Sequence, residues 1–159
     1  MAIEYIFETA TDLSPRQVIE YFAQRMNCTV EDDDFAHRDS EMHLLASTSP
    51  AGDMEEELEI FGDVELTNLT FRTPRVDDEE TRQDDFIAMV QSVLAFFHDH
   101  PETSGMLAYQ GELILLQRLT NEPITFDTAW KEFARNEDDP RLDDTAEPHM
   151  TRQLPQPFM

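Results

Sequence analysis

Phe86, Ile87, Val90, Val93, Leu94 and Phe97 recur at offsets of 0, 1, 4, 7, 8 and 11, the spacing of a helix with one wide apolar face. Such a helix is stable only when other elements cover that face. The acidic stretch DDEETRQDD leads into it, His98 and His100 close it, and both ends complement the helix dipole. Pro101 blocks continuation. A second helix start is marked by Leu13-Ser14-Pro15-Arg16-Gln17-Val18. Ser is the N-cap, Pro the first helical residue and Gln the third, completing a capping box, while Leu13 and Val18 staple the entry. Val18, Ile19, Phe22 and Met26 form its stripe, and Asn27 ends it.

The remaining periodicity is that of strands. Ile3, Tyr5 and Phe7 alternate with Glu4 and Glu8, and Ile6 adds bulk on the second face. Short strands are expected at 42–48, 57–61 and 64–72, separated by Ser-Pro-Ala-Gly-Asp and Gly-Asp turn signals that include Gly52 and Gly62. Residues 104–109 and 112–119 flank Gln110-Gly111 as a hairpin. Pro123 confines any strand through it to a sheet edge, and Asp127 can cap a short helix containing Trp130 and Phe133. The order strand, helix, several strands, helix, strand pair describes an α+β fold: a mostly antiparallel sheet with two main helices on one face, a short C-terminal helix and an irregular acidic tail. Residues 1–135 are expected to form a single domain and 136–159 an irregular or mobile segment, rich in Pro and acids with little apolar periodicity.

Charge limits the partners. In 159 residues, 35 Asp and Glu face 11 Lys and Arg, a net charge of −24, and Lys131 is the one lysine. A phosphate backbone needs clustered Lys and Arg, so nucleic acid is excluded as a direct ligand. At 40% hydrophobic residues with eleven Phe, the chain is too apolar to be wholly disordered. The N-terminal residues carry acids where a secretory signal has a basic region, and 86–97, interrupted by Gln91 and Ser92, is too short to span a bilayer. A cytoplasmic protein without membrane association is expected. Its one cysteine, Cys28, allows no internal disulfide and reads as a buried small hydrophobe.

Catalytic and metal readings fare poorly. His98-Asp99-His100 has metal-ligand residue types, but alternate residues on a helix point about 200° apart, and no HExxH spacing accompanies them. The acidic runs Glu31–Asp34, Glu55–Glu57, Asp77–Glu80 and Glu137–Asp139 lack the spacing of a calcium loop. No nucleophile elbow or phosphate loop is present among the four Gly. No enzyme activity, cofactor or metal is expected. The charge keeps two readings open: a carboxylate surface that steers a cationic partner, or solubility of a housekeeping protein in high salt. A metal-dependent or acid/base hydrolase remains the rival from another class.

Three segments carry a resemblance: AIEYIFETATDLSP, LTFRTPRVDDEETRQDDFIAMVQSVLAFF and SGMLAYQGELILLQRLTNEPITF. Together they resemble the immunity proteins of the swarming-inhibition (Sit) toxin type. The places that match are Ile3-Glu4-Tyr5, the Ala10 to Pro15 helix entry, Phe71-Arg72, and Gln110-Gly111-Glu112, where Gln110 stands for the family's Asn. The resemblance implies a small cytoplasmic protein that binds and neutralises a cognate toxin, and it transfers no catalytic residue. On that reading a basic toxin docks on acidic surface clusters, for which the candidates are Asp32, Asp33, Asp34, Glu55, Glu56 and Glu57. Tyr5, Phe71 and Trp130 lie in the matched region and read as core aromatics.

Overall fold

A computed structural model describes residues 2–51, 55–73 and 78–158. The expected turn residue Gly52 and Asp77 of the acidic run lie outside them. The chain begins with β1 (Ile3–Ala10), α1 (Pro15–Met26), β2 (Cys28–Asp32), β3 (Phe35–Arg38), β4 (His43–Pro50), α2 (Glu55–Phe61) and β5 (Glu65–Thr73). It continues with α3 (Glu79–Asp99), β6 (Ser104–Tyr109), β7 (Leu113–Arg118), β8 (Thr125–Asp127), a 3-10 turn at Trp130–Phe133, α4 (Pro140–Ala146) and β9 (Met150–Arg152). The strands form one sheet in the order β2-β3-β4-β5-β1-β6-β7-β8-β9. Each pairing is antiparallel except β8 with β9. This is the expected α+β class.

The local signals act as their chemistry dictates. Ser14 Oγ accepts from the Gln17 amide at 3.1 Å while Gln17 Oε1 accepts from the Ser14 amide at 2.9 Å, closing the capping box. Asn27 ends α1 at φ 57°, a left-handed position that Asn tolerates. Asp78 caps α3 by accepting from the Thr81 amide at 3.1 Å. Gln110 and Gly111 both take positive φ, 53° and 72°, and the Glu112 amide closes the turn on the Tyr109 carbonyl at 3.0 Å.

Tyr5 and Phe7 of β1 face α1 and α3, which pack on the same side of the sheet. Phe7 meets Phe22, Phe96 and Phe97 with ring centroids 5.7, 5.6 and 5.5 Å apart. Burying each such ring contributes about 1.5–3 kcal/mol, and the tilted geometries add to it. Gly105 permits this packing. A Cβ there would stand 2.8 Å from the Glu8 carbonyl oxygen and 3.0 Å from a Phe7 ring carbon.

Four expectations are corrected. Residues 57–61 belong to helix α2, not to a strand. Their Glu-Leu-Glu-Ile order reads as period two, but Ile60 and Phe61 anchor on Met106, Ala108 and Ile114 across the second face of the sheet. A helix bridging a sheet face in this way presents its side chains without respect to strand alternation. Strands β2 and β3 extend the sheet where no strand was expected, their polar outer residues having masked the pattern. The expected short helix near Trp130 is a 3-10 turn, and Asp127 holds its entry by accepting from the Ala129 amide at 2.9 Å. Finally, the segment 136–159 is regular in part: Pro140 and the N-cap Asp139 start α4, and β9 joins the sheet. The Leu154 amide donates to Asp127 Oδ1 at 2.9 Å and its side chain is buried. These partners are 27 residues apart in sequence, so no local pattern shows them.

Candidate functional site

The β2–β3 hairpin carries Asp32, Asp33 and Asp34 at its tip, all exposed. Asp33 is the most open, its side chain 93% exposed, and Arg16 Nη1 of α1 donates to it at 3.1 Å. The carbonyl of Asp34 accepts from the Ala46 amide at 2.8 Å, so β4 fixes the tip while its carboxylates remain in solvent. The register shifts between Val30 and Asp32, which bends the strand at this edge. Charge and a bend on an edge strand also discourage pairing with a second sheet.

Glu55, Glu56 and Glu57 open α2, where negative charge suits a helix N-terminus. They do not form one surface. Glu55 is exposed and Glu56 half-buried, but Glu57 is only 3% exposed and lies against Glu8 of β1. Burial, and then the Glu57 carboxylate beside it, push Glu8 up to about 8. Glu8 Oε2 has no hydrogen-bond partner among the described residues, and neither has Oδ1 of Asn68, directly across on β5. The expected docking residue Glu57 is therefore a buried carboxylate, turned inward by α2.

Beside the hairpin, the second face of the sheet carries Phe35, His37, His43 and Leu45, half-buried or exposed. Phe35 pairs with Leu45 and His37 with His43 across β3 and β4. The Phe35 ring stands 5.2 Å from that of His43, edge to face, and Leu45 is 38% exposed. Glu31 Oε1 lies 2.7 Å from His37 Nε2. An apolar and imidazole centre thus adjoins a carboxylate rim, the arrangement common at protein interfaces. The sequence reading missed it because β3 was not recognised as a strand.

The other candidates disperse. His98 Nδ1 is 3.4 Å from Asp99 Oδ1, Asp99 Oδ2 accepts from the Tyr21 hydroxyl at 2.6 Å, and the His100 ring packs on Phe96 at 4.7 Å. The three side chains serve different neighbours. Among the described residues no group of three or more His, Cys, Asp or Glu is placed to hold a metal. Burial pushes the Cys28 thiol up to about 11, so at neutral pH it is protonated and unreactive. No helix is long and apolar enough to cross a membrane among the described residues.

Two polar clusters, one half-buried around Arg118 and one buried around Asp85, escaped the sequence reading. Arg118 of β7 donates to the carbonyls of Phe97 and His100 at 2.7 Å each, closing the C-terminus of α3 with its guanidinium 4.6 Å from the centre of the Phe97 ring. Arg82 and Asp85 of α3 form a second cluster with Arg38 and Ser40. A signal for the latter existed: Arg82 lies four residues before Phe86, on a backward extension of the apolar stripe.

These features define an α+β sheet protein with helices on both faces and exposed carboxylates as its most abundant surface chemistry. The chain belongs to the SitI3-like family, whose family model matches residues 3–137. No curated protein and no solved structure matches it.

Proposed function

We propose that this protein is a cytoplasmic immunity protein that binds a cognate toxin and neutralises it by occlusion, without catalysis, cofactor, nucleic acid or membrane. Membership of the SitI3-like family is the observation that carries this reading. The net charge of −24 gives it a physical form, since single-sign potential speeds encounter with a basic surface. Asp32, Asp33 and Asp34 at the hairpin tip, with Glu55 and the half-buried Glu56 on α2, are the carboxylates on which such a partner would dock.

Affinity capture on tagged protein from lysate of the source organism, eluted in steps of increasing salt, tests the reading. The expected result is one stoichiometric basic protein that is toxic when expressed alone and harmless when co-expressed with this chain. Absence of such a partner, or toxicity unchanged by co-expression, would overturn it.

A further inference from the structure

Phe35 and His37 of β3 and Leu45 and His43 of β4 stand as two cross-strand pairs on one face of the sheet. Ala36 and Leu44, which lie between them in sequence, are fully buried in the core on the opposite face, so strand alternation turns these four away from it. The Phe35 ring lies 5.2 Å from that of His43 and 6.3 Å from that of His37, and Leu45 is 38% exposed. An aromatic ring, two imidazoles and an aliphatic side chain thus form one patch. Carboxylates border it: Asp32 pairs with Phe35 across the hairpin, Glu31 reaches His37, and Asp33 and Asp34 complete the turn. Few cations offset them. Arg16 engages Asp33 and also Glu20, Arg38 turns to Asp85 of α3, and Asp32 and Asp34 have no ion-pair partner among the described residues.

A ring and an aliphatic side chain partly in solvent, bordered by carboxylates, suit a partner surface that is cationic and apolar at once. Arginine meets both demands. Its guanidinium stacks flat on an aromatic ring while its edge bonds carboxylates, whereas the lysine ammonium is a compact, strongly hydrated charge. A second copy of this chain, itself at −24, would bring like charge to the same place. We propose that the β3–β4 face seats an arginine of a basic protein over Phe35, with the arginine stem against Leu45 and the guanidinium edge toward the hairpin carboxylates. The identity of that protein as the toxin rests on the preceding reading; the chemistry of the seat rests on the residues of β2, β3 and β4. The carboxylates speed encounter, and the patch beside them slows departure.

Two short synthetic peptides are the probes, one of Arg, Leu and Gly and the other with Lys in place of each Arg. Each is titrated into the isotope-labelled full chain at about 0.15 M salt and followed by amide and imidazole NMR shifts. Saturable binding of the Arg peptide is expected, with the largest shifts at residues 31–37 and 43–45, and the Lys peptide weaker by about threefold or more. Phe35→Leu keeps apolar bulk without the ring and should bring the two peptides level. Leu45→Thr, a substitution that a strand surface accepts, should weaken both. Asp32→Asn with Asp34→Asn should weaken the Arg peptide by roughly fivefold. Asp144→Asn with Glu147→Gln, which removes the same charge from exposed positions in and after α4, should leave binding within about twofold. Shifts spread over the acidic surface, equal weakening by both pairs of substitutions, equal binding of the two peptides by the parent chain, or no saturation by about 5 mM would each overturn the seat. Self-association without peptide that shifts the same residues would assign the face to a second copy and overturn it too. Failure of the toxin capture with the peptide result intact removes the toxin and keeps a basic partner; the converse keeps the toxin and moves its site elsewhere.

Discussion

Glu57 of α2 and Glu8 of β1 lie beside each other on the second face of the sheet, Glu57 buried and Glu8 half-buried, and burial together with the Glu57 carboxylate keeps Glu8 protonated. Their relationship ties the reverse face of the fold to pH. Folded, Glu8 releases its proton near pH 8, against an ordinary value of 4.5. Between those limits the folded state holds the extra proton, so this group's contribution to stability falls as pH rises and levels off above about 8. Glu8→Gln keeps a donor for Glu57 without an ionisable group. Its stability relative to the parent should be lowest near pH 5 and greatest near pH 9 in paired urea titrations. At the upper pH a gain of about 1–2 kcal/mol is expected, and parallel pH profiles for the two proteins would refute the raised titration of Glu8.

Arg118 closes α3 through backbone carbonyls; without it the Phe97 and Thr103 carbonyls lose its guanidinium, while the His100 carbonyl keeps the Thr103 amide and hydroxyl. Arg118→Met should cost about 3 kcal/mol by chemical denaturation. Lys at this position would supply charge without the planar fork and should recover less than half of that loss.

Gly105 has no room for a methyl group. With backbone on one side at 2.8 Å and the Phe7 and Phe97 rings on the other at 3.0 and 3.2 Å, Gly105→Ala must displace β1 or the aromatic cluster. A loss of about 2–3 kcal/mol is expected from overpacking, read as a shift of the urea midpoint. A neutral outcome would mean that β6 is free to move away from β1.

Asp32, Asp33 and Asp34 can be reversed to Lys together with little effect on the fold, because the one ion pair they make among the described residues, Asp33 with Arg16, is exposed and worth at most about 1 kcal/mol. With the captured partner, association should slow by roughly tenfold at low salt and converge on the parent rate as salt rises. Unchanged kinetics would remove the hairpin tip from the interface. The same experiment at Glu57 reports on folding and not on contact, since a cation there would face Glu8 inside the molecule.

Elements whose stability comes from nearby residues were legible in the chain. The α1 capping box, the α3 stripe from Phe86 to Phe97, the β1 alternation and the Gln110-Gly111 turn depend on neighbours within a few positions, and the structure holds them where expected. The α+β class followed from their order. The docking clusters were legible only as charge: sequence shows that Glu55, Glu56 and Glu57 are acids but not which of them points inward.

What tertiary structure decided is which surfaces remain open. Residues 57–61 became a helix because Ile60 and Phe61 find an apolar face on β6 and β7, more than forty positions away in the chain. The same fold buried Glu57 against Glu8, placed Phe35 and Leu45 together on the second face of the sheet, and set Arg82 and Asp85 of α3 against Arg38 and Ser40. Local sequence determines backbone conformation through sterics and short-range hydrogen bonds. Burial, and with it the protonation and availability of each charged group, is set by segments brought together from distant parts of the chain.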